Sequence, residues 1–132
     1  MYITIVDIVN GWIMSKEKEK KVPRLLDAEF HILLVLGAGE QHGYAIMKTI
    51  NDHPDISYYL GPATLYRTIK RLLERSLIEE VGDRPDPEND DERRRYYKLS
   101  AAGQKVMVSE TERLSKLISL ARDWGLGMSM IA

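Results

Sequence analysis

The apolar residues of this 132-residue chain change their spacing twice, and that order constrains the fold more than any single motif. Three short stretches have helical spacing, two shorter ones alternate, and helical spacing then returns for one long run. The first helix is expected to start with Asp27 as N-cap, to present Phe30, Leu33, Leu34 and Leu36, and to end at Gly37 and Gly39. The second runs from His42–Gly43 through Tyr44, Ile46, Met47 and Ile50, and Asn51 to Pro54 stops it. The third opens at Gly61–Pro62, where proline sacrifices an N–H that has no intrahelical partner. Leu77–Val81 and Arg95–Leu99 read as strands joined by a long, flexible polar loop, Gly82–Arg94. Ser100 can cap a last helix from Ala101 to about Trp124. The expected class is mainly α with a small β-hairpin: a winged helix-turn-helix plus a C-terminal dimerisation helix. It divides into an N-terminal extension and charged linker (1–23), the winged domain (24–100) and the C-terminal helix and tail (101–132).

In a winged helix the third helix enters the major groove and the hairpin approaches the backbone or minor groove. The third helix has what that role needs. Leu65, Ile69, Leu72 and Leu73 form an apolar anchor, and Thr64, Arg67, Thr68, Lys70 and Arg71 supply polar groups on the opposite side. Arg67 and Arg71 share a face, and an arginine there can grip a guanine edge or a phosphate. Gly61–Ser76 holds four basic residues (Arg67, Lys70, Arg71, Arg75) and one acid, Glu74, a local charge of +3. The whole chain carries only −1, so DNA binding must rest on local charge. The wing is mixed: Arg84, Arg93, Arg94 and Arg95 stand among Asp83, Asp86, Glu88, Asp90, Asp91 and Glu92. Moderate affinity with a real salt dependence follows. Basic helix faces are also common as plain solvated surfaces, so a winged-helix protein–protein module that never touches DNA is the alternative reading.

Four words in order carry a family resemblance from Leu26 to Leu99, the last word continuing to Gly103. They are Gly39-Glu40-Gln41-His42-Gly43-Tyr44-Ala45-Ile46, Leu65-Tyr66, Lys70 through Ile78, and Arg94 through Gly103. The chain resembles the PadR family of transcription regulators. The resemblance implies a dimeric winged-helix repressor of double-stranded DNA. Its members pair through the C-terminal helix, often with help from the N-terminal one, and many release DNA on binding a small aromatic or cationic ligand. It implies that Tyr66 contacts a phosphate and that Ala63, Thr64 and Arg67 approach bases. With Lys70, Arg71, Arg93 and Arg94 these make up the candidate DNA-binding set. Where the family often has Gly-Thr-Leu-Tyr-Pro, this chain has Ala63-Thr64-Leu65-Tyr66-Arg67, so its base-reading pattern is its own.

Met107, Leu114, Leu117, Ala121 and Trp124 occupy heptad positions of a partial seam interrupted by Glu110, the candidate dimer contact. Trp124 is also a candidate to stack on a flat effector; the competing reading is that it simply packs in the interface. Trp12 carries the same ambiguity. Ile5, Ile8, Val9, Trp12 and Ile13 share a helical face, although their β-branched content equally allows a strand, and Met14 could be the natural start. The apolar runs near Met1–Met14 and Ile32–Gly39 fall short of a membrane span, and the N-terminus lacks the basic region of a signal peptide. With no cysteine, disulfides and thiol catalysis are excluded, and a cytoplasmic location fits. His31, His42 and His53 have no companion ligands, so no metal site or cofactor is expected. There is no recognisable nucleophile setting, phosphate-binding glycine loop or carboxylate pair, so the chain is not expected to be an enzyme.

Overall fold

The computed structural model describes residues 24–87 and 89–127. Its elements are α1 (Asp27–Gly37), β1 (Gln41–His42), α2 (Gly43–Asp52), α3 (Pro62–Glu74), β2 (Ile78–Asp86), β3 (Asn89–Leu99) and α4 (Ala101–Asp123). The element order foreseen from spacing is present, with one addition: β1 is a two-residue strand that pairs Gln41 with Tyr97 and His42 with Tyr96. It makes the hairpin a three-stranded antiparallel sheet in the order β1-β3-β2.

α1 is central. Ala28, Glu29, Ile32, Leu33, Val35 and Leu36 are all buried, so it is covered on several sides, while Leu34, expected on the core face, is exposed. Its start also differs from expectation. The N-cap is Leu26, and Asp27 is the first helical residue. Glu29, at the third helical position, reaches back and accepts the Leu26 N–H at 2.8 Å, which satisfies the helix end from inside. Ile46 and Ile50 of α2, Leu60, and Leu65, Ile69 and Leu72 of α3 close the core against it.

The polar segment expected to be a loop is largely strand. β2 and β3 pair from Ile78↔Leu99 out to Asp86↔Asn89. Its Asp, Glu, Pro and Arg content suggested a loop, but Gly82, at φ +123°, sits at a bulge that shifts the register and lets pairing continue. Pro85 is tolerated because β2 is an edge strand.

The wing base and α4 meet in a close contact. Ser100 accepts the Gly103 N–H at 3.0 Å, capping α4, and donates to the Ser76 carbonyl at 2.6 Å. A Cβ at Gly103 would lie 2.0 Å from the Leu77 carbonyl oxygen, so only glycine lets α4 approach this closely. Because Ser76 and Leu77 directly follow α3, the junction ties α4 to the end of α3. No helix among the described residues is long and apolar enough to cross a membrane.

Candidate nucleic-acid interface

α3 presents one solvent face. Ala63, Tyr66, Arg67 and Lys70 are exposed and follow i, i+3, i+4, i+7 spacing. Thr64 and Arg71 flank this stripe and are half-buried. Thr68, placed on the polar side from sequence, and Arg75, counted in the local basic charge, turn inward instead. Thr68 is 2% exposed and donates to the Thr64 carbonyl at 2.6 Å, a back-bond that lets a hydroxyl sit in the core. Arg75 donates to Glu29 at 2.7 Å, so its charge is spent on joining α3 to the start of α1. Among the described residues no acid forms an ion pair with Arg67, Lys70 or Arg71. Arg67 makes a long contact to Thr64 Oγ1 at 3.4 Å.

Beside this face, Gly43, Tyr44, Tyr66, Arg94, Arg95 and Tyr97 line a notch of about 170 Å³. It joins the start of α2, the exposed face of α3 and the wing. His42, expected at a helix start, caps α2: its Nδ1 accepts the Ala45 N–H at 3.1 Å. A Cβ at Gly43 would meet the Tyr66 ring at 3.4 Å, so the glycine permits α2 and α3 to cross closely. Tyr44 is 43% exposed, and the Arg94 guanidinium stands 5.5 Å from its ring centre. Tyr96 and Tyr97 point to opposite faces of β3. Tyr97 is buried, and that burial, with the Glu80 carboxylate nearby, raises its phenol above the ordinary range, so the notch keeps a neutral hydroxyl. Sequence reading missed Gly43, Tyr44 and Arg95 as members of one site, because the notch draws its lining from three separate elements, α2, α3 and β3.

The wing spends its charges differently. Arg84 pairs with Glu40 and lies 4.7 Å from the Tyr96 ring centre. Arg95 approaches Glu80 at 3.8 Å and Lys98 approaches Glu79 at 3.6 Å. The side chain of Arg93 lies outside the described residues, as does Trp12.

The candidate dimer seam divides along α4. Met107 is buried in the chain's own core. Leu114 and Ala121 are half-buried, and Leu117 and Trp124 are 49% and 73% exposed. Ile118 and Leu120 add to the exposed apolar surface. Among the described residues no group of three or more His, Cys, Asp or Glu could hold a metal ion. His31 stacks on Tyr58, and His53 accepts the Asp55 N–H.

The family model described as "Transcriptional regulator PadR-like family" matches residues 32–109. The chain belongs to this family. A relative, the uncharacterized 37.1 kDa protein in transposon TN4556 of Streptomyces fradiae, is 30% identical over 94 residues. That match takes in 71% of this chain but only 25% of the Streptomyces protein, so this chain spans about a quarter of that relative's length. Among solved structures, a PadR family transcription regulator from Clostridium difficile superposes with a TM-score of 0.62 at 21% identity, covering 76% of this chain and 98% of that one. Bacillus subtilis PadR, solved in complex with operator DNA, superposes at 0.58 with 17% identity, covering 67% of this chain and 48% of that one. At such identities the two structures establish the shared fold. With the family match, they make this PadR-like chain a winged-helix member of a family of transcriptional regulators.

Proposed function

We propose that this PadR-like protein is a dimeric, DNA-binding transcriptional repressor that inserts α3 into the major groove of double-stranded DNA. The observation that carries the reading is the exposed stripe of Ala63, Tyr66, Arg67 and Lys70, which has no ion-pair partner among the described residues, beside a notch walled by Arg94 and Arg95. Arg67 and the half-buried Arg71 are the long donors placed to reach base edges or the flanking backbone. Tyr66 and Arg94 stand where a phosphate could enter the notch. The Bacillus relative bound to its operator supports the same use of the fold here.

Dimerisation is supported by α4. The helix has 23 residues and so runs roughly 34 Å, but its buried residues, Gly103 and Met107, lie near its start. Leu114, Leu117, Ala121 and Trp124 would form the seam with a second copy, and two α3 helices set about one DNA turn apart, roughly 34–36 Å, would read two half-sites. Trp124 at the far end could stack on a small aromatic or cationic effector that releases the DNA.

A gel-shift titration over a salt series, on duplex DNA from upstream of the protein's own gene, tests the reading. The expected result is binding whose affinity falls steeply with salt; absence of binding at low salt, or a flat salt response, overturns it. A monomeric mass in solution would remove the two-half-site geometry. The paired charges of the wing favour a second reading, a winged-helix protein–protein module. Partners retained at high salt by a protein that shifts no DNA would decide for it.

A further inference from the structure

The segment between α2 and α3 places a large aromatic at the threshold of α3 and holds it there. We propose that Tyr59 is a further DNA contact, its hydroxyl donating to a backbone phosphate at the edge of the groove that α3 enters, and that Asn51 is the residue that positions it. The proposal rests on the reading that α3 lies in the major groove.

Three observations carry it. Tyr59 is 75% exposed, more than any other described tyrosine, while both neighbours turn inward. Leu60 is fully buried, and the Tyr58 ring stacks on His31 at 4.5 Å with an interplanar angle of 18°. The backbone is locked as well as the side chains. Asn51 in the last turn of α2 accepts the Leu60 N–H at 2.8 Å and donates to the Leu60 carbonyl at 2.9 Å. One amide therefore satisfies both polar groups of a buried residue, and the chain beside Tyr59 cannot shift without losing both bonds. Finally, the Tyr59 ring lies against the start of α3: a Cβ at Gly61, the N-cap, would meet its Cε1 at 3.8 Å.

The geometry selects the ligand group. A recognition helix contacts base edges through its N-terminal residues, so the chain just before that end passes the wall of the groove, which is sugar and phosphate. Tyrosine is among the side chains that donate to phosphate oxygens, and with two rotatable side-chain bonds on a fixed backbone it loses little freedom on contact. A neutral hydroxyl displaces no counterion, so this contact should add affinity without adding to the salt slope.

The test compares wild type, Tyr59→Phe, Tyr59→Ala, Asn51→Ala and the Asn51→Ala/Tyr59→Ala pair on the same upstream duplex over a salt series, with Arg67→Ala as reference. Tyr59→Phe keeps the ring and should weaken binding about fivefold, the worth of one hydrogen bond, with an unchanged slope of log K against log salt. Tyr59→Ala should weaken it about tenfold, and adding Asn51→Ala should cost little more, because both changes remove the same contact. Circular dichroism and melting check that each variant is folded, and Tyr59→Phe keeps the test decisive where Asn51→Ala does not fold. Wild-type affinity in Tyr59→Phe and Tyr59→Ala beside weakened Arg67→Ala overturns this inference alone. Wild-type protein that binds no DNA at any salt overturns the DNA reading and this inference with it.

Discussion

α3 and the wing both carry arginines toward the same side of the molecule, yet they use them in opposite ways. On α3, Arg67, Lys70 and Arg71 form no ion pair with a described acid, while in the wing Arg84 is held by Glu40 and Arg95 approaches Glu80. On α3 the solvent-facing stripe lies out of ion-pair reach of every described acid. The wing's cations have acids close by: Glu40, just before β1, meets Arg84, and Glu80 and Glu79 of β2 meet Arg95 and Lys98 of β3. The same count of basic residues thus represents different available charge, and on the proposed DNA-binding reading most phosphate and base contact falls to α3.

The largest effect that would break this comparison is loss of the α3 arginines. Arg67→Ala with Arg71→Ala should weaken DNA binding at least about a hundredfold, near 3 kcal/mol, with the melting temperature unchanged. A smaller loss than from Arg94→Ala would reverse the assignment. Next comes the support that both regions share. Gly103→Ala forces a Cβ against the Leu77 carbonyl and should lower unfolding stability by about 2 kcal/mol in a denaturant titration. An unchanged midpoint would show that α4 does not dock as tightly on the wing base as the structure has it. Glu40→Gln frees Arg84 from its partner, so affinity should rise about threefold and the salt slope steepen by about one; no change would mean that the wing stands clear of DNA.

The smallest effect concerns α4. The Arg113 hydrogen bond holds the Glu110 carboxyl below its usual value of 4.5. A lowered folded-state value means that the pair's contribution is present above 4.5 and is lost as pH falls through the folded value. Wild type should therefore lose about 0.5 kcal/mol more than Glu110→Gln on acidification below that point, read from melts at pH 6 and pH 3.

Much of the candidate interface was legible before the fold. The apolar spacing of Leu65, Ile69 and Leu72 leaves Tyr66, Arg67 and Lys70 outward by helix geometry alone. Thr68 and Arg75 escaped that reading because each finds its partner in three dimensions: Thr68 in the carbonyl one turn back, Arg75 in Glu29, 46 residues away. The notch could not be read because Tyr44, Tyr66 and Arg94 lie on three elements. Asn51 read only as a helix-stopping residue, although its place nine residues before Leu60 is what lets one amide clamp that residue. The length of β2 and β3 was hidden because glycine and proline signal loops unless a bulge and an edge position absorb them.

By itself, then, the sequence determined the order of helices and strands, the apolar anchor of α3, the capping role of Ser100, and membership of a family through four ordered words. These depend on periodicity and on near neighbours, which the chain carries in its own numbering. Only the tertiary structure decided which arginines keep their charge for a partner and which are paired off, where the wing ends, and that the part of α4 at Met107 belongs to the core while Leu117 and Trp124 face outward. Those outcomes depend on distances between residues far apart in the chain, and packing sets them.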